Sequence, residues 1–238
     1  MVMARNNLVL GIDEAGKGPV IGPLVICGYM IKEADIKKLA KLGVKDSKLL
    51  SPKRREHMEK KLKEISHDFI VLSIPAREID RLREVKNLNK IEMEHIQKIV
   101  NLLTPDKVII DAFETNTKKF CEKIKQGITC NPKIIAENFA DSKYHVVGAA
   151  SILAKVQRDR EIKKISDYIG EDIGSGYPSD ERTIKFLKSW MNNKGNSLEF
   201  VRHSWLTFEL IKRQNEQKKL GIFFKDVLKG QGTEKKEE

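Results

Sequence analysis

Apolar and polar positions divide the chain into short stretches with two different periods. Leu8 to Ile12 is a brief apolar run ending in Asp13 and Glu14, which reads as a strand. A turn punctuated by glycine and proline, Ala15 to Pro19, leads to a second apolar run, Val20 to Ile31. Together they predict an antiparallel, hairpin-like pair. Ser51-Pro52 places a capping residue before a proline suited to the first helical position. Met58, Leu62 and Ile65 then share one face, so a helix is expected to about Glu64. Phe69 to Ile74 is a third strand-like run.

From Leu88 to Leu103 the apolar residues (Leu88, Ile91, Ile96, Ile99, Val100 and Leu103) fall at helical spacing, and Pro105 stops the helix. Lys107 to Asp111 (KVIID) is a β-branched run ending in a carboxylate, and Lys133 to Ala136 (KIIA) repeats the pattern. Lys118 to Lys125 reads as a helix between them. Tyr144 to Tyr168, rich in alanine, reads as one long helix, followed by shorter ones over Asp180 to Met191 and Ser204 to Asn215. Strands alternating with helices predict an α/β fold with a mixed sheet.

Composition narrows the class. At 40% hydrophobic the chain has material for a core, which excludes disorder throughout. Lys and Arg number 45 against 34 Asp and Glu, a formal charge of +11 that suits a polyanionic partner: nucleic acid, or less often an anionic membrane surface. Cys27, Cys121 and Cys130 lack the spacing of a zinc site or a disulfide framework and read as reduced thiols. The run Val20 to Ile31 is too short, and too broken by Gly22, Pro23 and Gly28, to span a membrane. The N-terminus carries no signal-peptide pattern, so a cytoplasmic protein is expected, with monomer the default.

Four acids stand out by position. Asp13 and Glu14 end the first strand, Asp111 ends KVIID, and Asp141 precedes the long helix. In α/β folds, sites form at the carboxyl ends of strands and the starts of helices. Acids delivered there suit hard divalent cations, and two such cations can activate a water against a phosphodiester. Otherwise they are ordinary strand-terminal turn residues. Asp13 and Glu14, being neighbours, would point to opposite faces of a regular strand, unless the glycines at 11 and 16 relax that geometry. The loop Gly16-Lys17-Gly18-Pro19 matches neither dinucleotide-binding nor P-loop spacing. It lets a backbone approach something closely, beside acids and one lysine.

GIDEAGKGPVIGPL (Gly11 to Leu24) closely resembles the N-terminal signature of ribonuclease HII. VIIDAF (Val108 to Phe113) and ADSKYHVVGAASILAKVQRDR (Ala140 to Arg160) resemble its second and third segments, in order. DSKLLSPKRRE (Asp46 to Glu56) and GSGYPSD (Gly174 to Asp180) also fit. The chain is thereby identified as a member of that family, of archaeal type. The resemblance implies a ribonuclease H-like fold with a central five-stranded mixed sheet flanked by helices; the change of composition after Gly170 and the two helices beyond it add a small helical C-terminal subdomain. The expected division is a catalytic domain over residues 1–172 and a helical subdomain with a substrate-contacting loop over 173–216. A clamp-binding motif at 217–224 and a polar tail at 225–238 would follow.

The implied catalytic and metal-binding residues are Asp13, Glu14, Asp111 and Asp141, with Mg²⁺ or Mn²⁺ as cofactor. The implied reaction hydrolyses the RNA strand of RNA–DNA hybrids and cleaves 5′ of ribonucleotides embedded in duplex DNA, leaving 3′-hydroxyl and 5′-phosphate ends. Gly16, Lys17 and Gly18 would read the 2′-hydroxyl through their backbone, and Tyr177 would stack on the neighbouring sugar. Lys48, Lys143 and Arg158 are candidate phosphate contacts; Lys53, Arg54 and Arg55 are either another or a solvated face. His145 stands where proline is expected and Gly148 where alanine is usual. A non-catalytic nucleic-acid-binding protein, or another two-metal nuclease of the superfamily, is the alternative. Finally, Gln217, Leu220, Phe223 and Phe224 resemble the box by which proteins dock on the replication sliding clamp. The other reading of that tail folds its apolar residues back on the catalytic domain.

Overall fold

Two strands lie at the centre of the molecule because both their faces are covered: β1 (Leu8–Ala15) and β2 (Leu24–Lys32) are buried almost without interruption. The computed structural model describes residues 7–44, 50–193 and 198–217. β3 (Asp68–Ile74), β4 (Lys107–Asp111) and β5 (Lys133–Glu137) complete a five-stranded mixed sheet in the order β3-β2-β1-β4-β5. β2 pairs antiparallel with β1 and β3, whereas β1–β4 and β4–β5 are parallel. The carboxyl ends of β1, β4 and β5 therefore share one edge.

The remaining elements are α1 (Ile36–Leu42), α2 (Pro52–Ile65), α3 (Ala76–Arg83), α4 (Leu88–Leu103), α5 (Thr117–Gln126), α6 (Ala140–Lys143), α7 (His145–Ile169) and α8 (Glu181–Asn193). A further helix covers residues 206–217. Side-chain alternation sorts the sheet into two faces. Val9, Cys27 and Ile109 pack on Val147, Ala150 and Leu153 of α7. Leu10, Ile12, Ile26 and Ile110 pack on Ile91, Ile96 and Ile99 of α4. A third cluster joins Val20 and Ile21 to Phe186, Leu187, Phe208 and Ile211, with Ile162, Ile165 and Ile169 of α7 against it. No helix among the described residues is long and apolar enough to cross a membrane.

The structure departs from the sequence reading in three places. β2 starts at Leu24 rather than Val20, because Val20 and Ile21 donate their N–H groups to the Gly176 carbonyl (2.9 and 3.2 Å) and Gly22 donates to Phe200 (2.8 Å). That part of the apolar run serves the C-terminal segments, not the hairpin. The long helix expected over Tyr144 to Tyr168 is α7, but an unexpected short helix, α6, precedes it, set apart by the extended backbone of Tyr144 (φ −117°, ψ 119°). α1 and α3 were not anticipated. Lys48, Leu220, Phe223 and Phe224 lie outside the described residues.

Gly11 lets α7 cross β1 closely. A Cβ there would strike the Val146 carbonyl group and come within 2.6 Å of the Val147 nitrogen. Gly11→Ala is therefore expected to cost about 1–3 kcal/mol by forcing sheet and helix apart. A melting temperature within a degree or so of the parent's would contradict this close approach.

Candidate metal and nucleic-acid site

Register decides which acids meet. Ile12 of β1 lies opposite Ile110 of β4, so the next residues, Asp13 and Asp111, sit side by side at the shared edge. Both have the parity of Val9 and Ile109 and face α7. After β5 the chain turns into α6, where Asp141 approaches the same point. Carboxylate oxygens of Asp13, Asp111 and Asp141 all lie within 4.8 Å of one another. Asp13 and Asp141 are buried, and Asp111 is partly so.

Local hydrogen bonds fix the three. Asp13 Oδ1 accepts from the Glu14 N–H (2.8 Å), and Asp111 Oδ1 accepts from the Ala140 N–H (3.0 Å). The buried Ser151 of α7 also hydrogen-bonds Asp13, and Lys155, one turn on, bonds the Ser151 hydroxyl. Gly148 belongs to the same junction: a Cβ there would come within 2.7 Å of the Val44 oxygen and 3.1 Å of the Asp141 oxygen. The alanine expected at that position has no room. His145 is the first residue of α7 and is not among the three converging groups.

Glu14 stands apart. Pointing the other way from β1, it meets the α4 face, where Glu92 is buried and receives the Lys17 ammonium. The structure thus brings three of the four sequence-derived acids together and pairs the fourth with a carboxylate that went unrecognised. A signal for Glu92 was present: Glu92, Ile96 and Ile99 share the apolar face of α4. Lys17 also lies 3.9 Å above the Phe113 ring centroid, so its charge is engaged within the protein.

Crowded carboxylates resist ionisation. Burial, with the neighbouring Asp111 charge, pushes Asp13 up to about 7 against the opposing pull of Lys155 and Ser151. Burial and the charges of Asp13 and Glu92 raise Glu14 well above the usual carboxylate range. Burial also raises Glu92, with Lys17 opposing. An all-oxygen donor set that is convergent, largely buried and costly to ionise fits a hard divalent cation.

A raised carboxylate pKa favours the native state at low pH, and this contribution fades as pH rises from near 3.8 towards 7. A cation needs the deprotonated form. The rise in melting temperature produced by Mg²⁺ should therefore be larger at about pH 8 than at about pH 5. Equal rises at both would contradict the assignment.

Beside the acids, an open cleft of about 420 Å³ is lined by Glu14, Gly16, Lys17, Gly18, Lys155, Arg158 and Tyr177, among others. Its walls are tied together from the C-terminal segment. Arg202, fully buried, donates from Nη2 to Gly16 O (2.6 Å), from Nη1 to Lys17 O (3.0 Å) and from Nε to Gly22 O (3.0 Å). Trp205 Nε1 donates to Gly18 O (3.2 Å). With these carbonyls engaged, N–H groups are what the loop offers a ligand. Arg202 was not singled out from sequence, because its partners lie at the other end of the chain.

Tyr177 is brought to the same loop: a Cβ on Gly18 would lie 3.9 Å from its ring. Gly176, at φ 82°, has no space for a Cβ against the Ile21 oxygen (2.6 Å). Thr183 Oγ1 accepts from Gly176 N (3.0 Å), and Asp180 accepts from Ser175 N (2.8 Å).

The basic candidates divide. Arg158 lines the cleft and braces its wall: it is largely buried, donates to Ser175 O (2.6 Å) and stacks over Tyr177 at 4.7 Å. Arg55 is tied to Leu50 O and Asp159, both at 2.7 Å. Lys143 is exposed and pairs with Glu137 at 2.7 Å, while Lys53 and Arg54 are solvated.

The family model for Ribonuclease HII matches residues 10–208. Ribonuclease HII of Methanothrix thermoacetophila is 46% identical over 205 residues, covering 86% of this chain and 97% of the relative. That of Thermococcus sibiricus is also 46% identical, covering 88% and 93%. The crystal structure of ribonuclease H2 from Pyrococcus horikoshii superposes with a TM-score of 0.83 at 42% identity, covering 88% of this chain and 99% of that one. RNase HII in its PCNA complex from Archaeoglobus fulgidus gives 0.78 at 38% identity, covering 83% and 95%. Acids on adjacent strand ends, a glycine loop lining the cleft beside them and this breadth of similarity agree, and the chain belongs to the ribonuclease HII family of endonucleases.

Proposed function

We propose that the chain is a divalent-metal-dependent endonuclease that cuts the RNA strand of RNA–DNA hybrids. It also cuts 5′ of single ribonucleotides embedded in duplex DNA, leaving 3′-hydroxyl and 5′-phosphate ends. The observation that carries this reading is the convergence of Asp13, Asp111 and Asp141 next to the Gly16–Gly18 loop and Tyr177.

Asp13, Asp111 and Asp141 would hold Mg²⁺ or Mn²⁺, with Glu14 completing the acidic set from the other face of β1. Bound there, the metal would activate a water and offset the charge of the reacting phosphate. The chain's own groups do the rest. Glu14 N–H and Ser151 fix the Asp13 carboxylate, Ala140 N–H fixes Asp111, and Lys155 keeps positive charge beside Asp13. The Gly16–Gly18 N–H groups reach the 2′-hydroxyl, which distinguishes RNA from DNA at one position. Tyr177 offers its flat ring to the adjoining sugar. A formal charge of +11 supports the polyanionic substrate, with affinity falling as salt rises.

At the C-terminus, Gln217, Leu220, Phe223 and Phe224 dock on the ring-shaped sliding clamp as an aromatic-anchored plug. The sequence pattern supports this, as does the existence of a PCNA complex of the Archaeoglobus relative. Phe223→Ala/Phe224→Ala should abolish clamp binding by the full-length protein; undiminished affinity would refute the docking.

The nuclease reading is tested with an end-labelled duplex bearing one ribonucleotide. Cleavage on its 5′ side is expected in Mg²⁺ or Mn²⁺, none in EDTA, and none of an all-DNA duplex. No cleavage with any divalent cation, or equal cleavage of all-DNA duplex, would overturn it.

A further inference from the structure

Between β5 and α6 the chain makes a turn that holds an aromatic side chain out into solvent, next to the acids. Phe139 is 69% exposed. Its backbone lies in the left-handed region (φ 59°, ψ 36°), one of only two non-glycine residues with positive φ among those described. A bulky residue in that backbone conformation is strained.

The turn is rigid on both sides of it. Asn138 Nδ2 donates to Ala112 O (2.6 Å) and Glu114 O (3.2 Å), and Ala112 N donates to Glu137 O (2.9 Å). The Phe139 carbonyl accepts from Ser142 Oγ (2.8 Å) and Ser142 N (3.2 Å). Ala140, the next residue, donates its N–H to Asp111, and Asp141 follows in the acid cluster. An exposed ring is thus fixed to the same hydrogen-bond framework as two of the acids.

Strand order gives its place relative to the substrate. Along the shared carboxyl edge, β1 with the Gly16–Gly18 loop comes first, then β4 with Asp111, then β5 and the Phe139 turn. Adjacent strands are about 4.8 Å apart, so Phe139 leaves the sheet roughly 10 Å from β1, beyond the acids from Tyr177. A polynucleotide lying across the acids and engaging Tyr177 on one side would pass Phe139 on the other, a nucleotide or so from the cleaved bond.

We infer that Phe139 is a second aromatic contact for the nucleic acid, stacking on a sugar or base beyond the acid cluster and so fixing the substrate at two points. The inference rests on the nuclease reading above. Stacking of this kind is nearly independent of salt, unlike the contacts of the basic residues, and truncating one such ring weakens binding by about tenfold.

The test uses the full chain and the duplex bearing one ribonucleotide. Steady-state kinetics are measured in Mg²⁺, and equilibrium binding is measured in an Asp111→Asn background. Phe139→Ala should raise KM and Kd about tenfold with kcat nearly unchanged, and should leave the slope of log Kd against log salt as in the parent. Phe139→Trp should restore binding. Phe139→Gly relieves the backbone strain, so it should raise the melting temperature while weakening binding as much as alanine does. Parent-like binding by the alanine and glycine variants would overturn the inference and leave the nuclease reading intact. So would a changed salt slope, or a glycine variant with a lower melting temperature. A parent that neither binds nor cleaves the duplex would overturn both.

Discussion

Asp111→Asn is expected to give a folded protein whose cleavage of a ribonucleotide-bearing duplex falls on the order of a thousandfold or more. Asparagine keeps the shape of the side chain, and its amide oxygen can still accept the Ala140 N–H, so the β4–α6 junction should persist. What disappears is one negative charge among three carboxylates within 4.8 Å, and with it much of the pull on a cation. The metal-free variant should be no less stable than the parent, because Asp111 is among the charges that make Asp13 costly to ionise. A variant with near-parental turnover in Mg²⁺ would remove Asp111 from the chemistry. One that fails to fold would make it a structural acid.

Arg202→Met should be the most damaging substitution away from the acids. The guanidinium is fully buried, and its three hydrogen bonds organise Gly16, Lys17 and Gly22. It also stacks on Trp205 at 4.7 Å, which in turn holds Gly18. Burial, reinforced by the nearby Arg158 charge, pushes its pKa down to about 9. Methionine would leave three carbonyls without donors, at a cost of about 3–5 kcal/mol and roughly 10 °C in melting temperature. Arg202→Lys would keep the charge but not the planar fork and should lose an intermediate amount. Thermal denaturation checks both, and a methionine variant as stable as the parent would show that the loop holds itself.

These two residues mark the range of what was legible in the sequence. Asp111 was legible because a β-branched strand delivers it to an edge, and the strand runs from Lys107 to Asp111 as read. The helix Leu88–Leu103 was equally plain, its apolar period reinforced by the Asn87 cap on Lys90 N (2.9 Å). That Glu14 would face away from Asp13 was only half legible: strand alternation predicts it, while Gly11 and Gly16 left a relaxed geometry open. Elements with little buried surface were hidden: α1 buries only Leu39, and α3 only Ala76 and Ile79, within strongly charged segments. The four-residue α6 has no side-chain cap to announce it. Glu92, Lys155 and Arg202 act through partners remote in sequence, which periodicity does not report.

Calorimetric titration of Mn²⁺ into the metal-free protein, its single Asp→Asn variants at positions 13, 111 and 141, and Glu92→Gln tests most directly whether the three carboxylates form one cation site. Binding by the parent should weaken at least about tenfold in each aspartate variant and change little in Glu92→Gln, whose carboxylate belongs to the Lys17 side of β1. Parent-like Mn²⁺ affinity in any of the three aspartate variants would contradict the site.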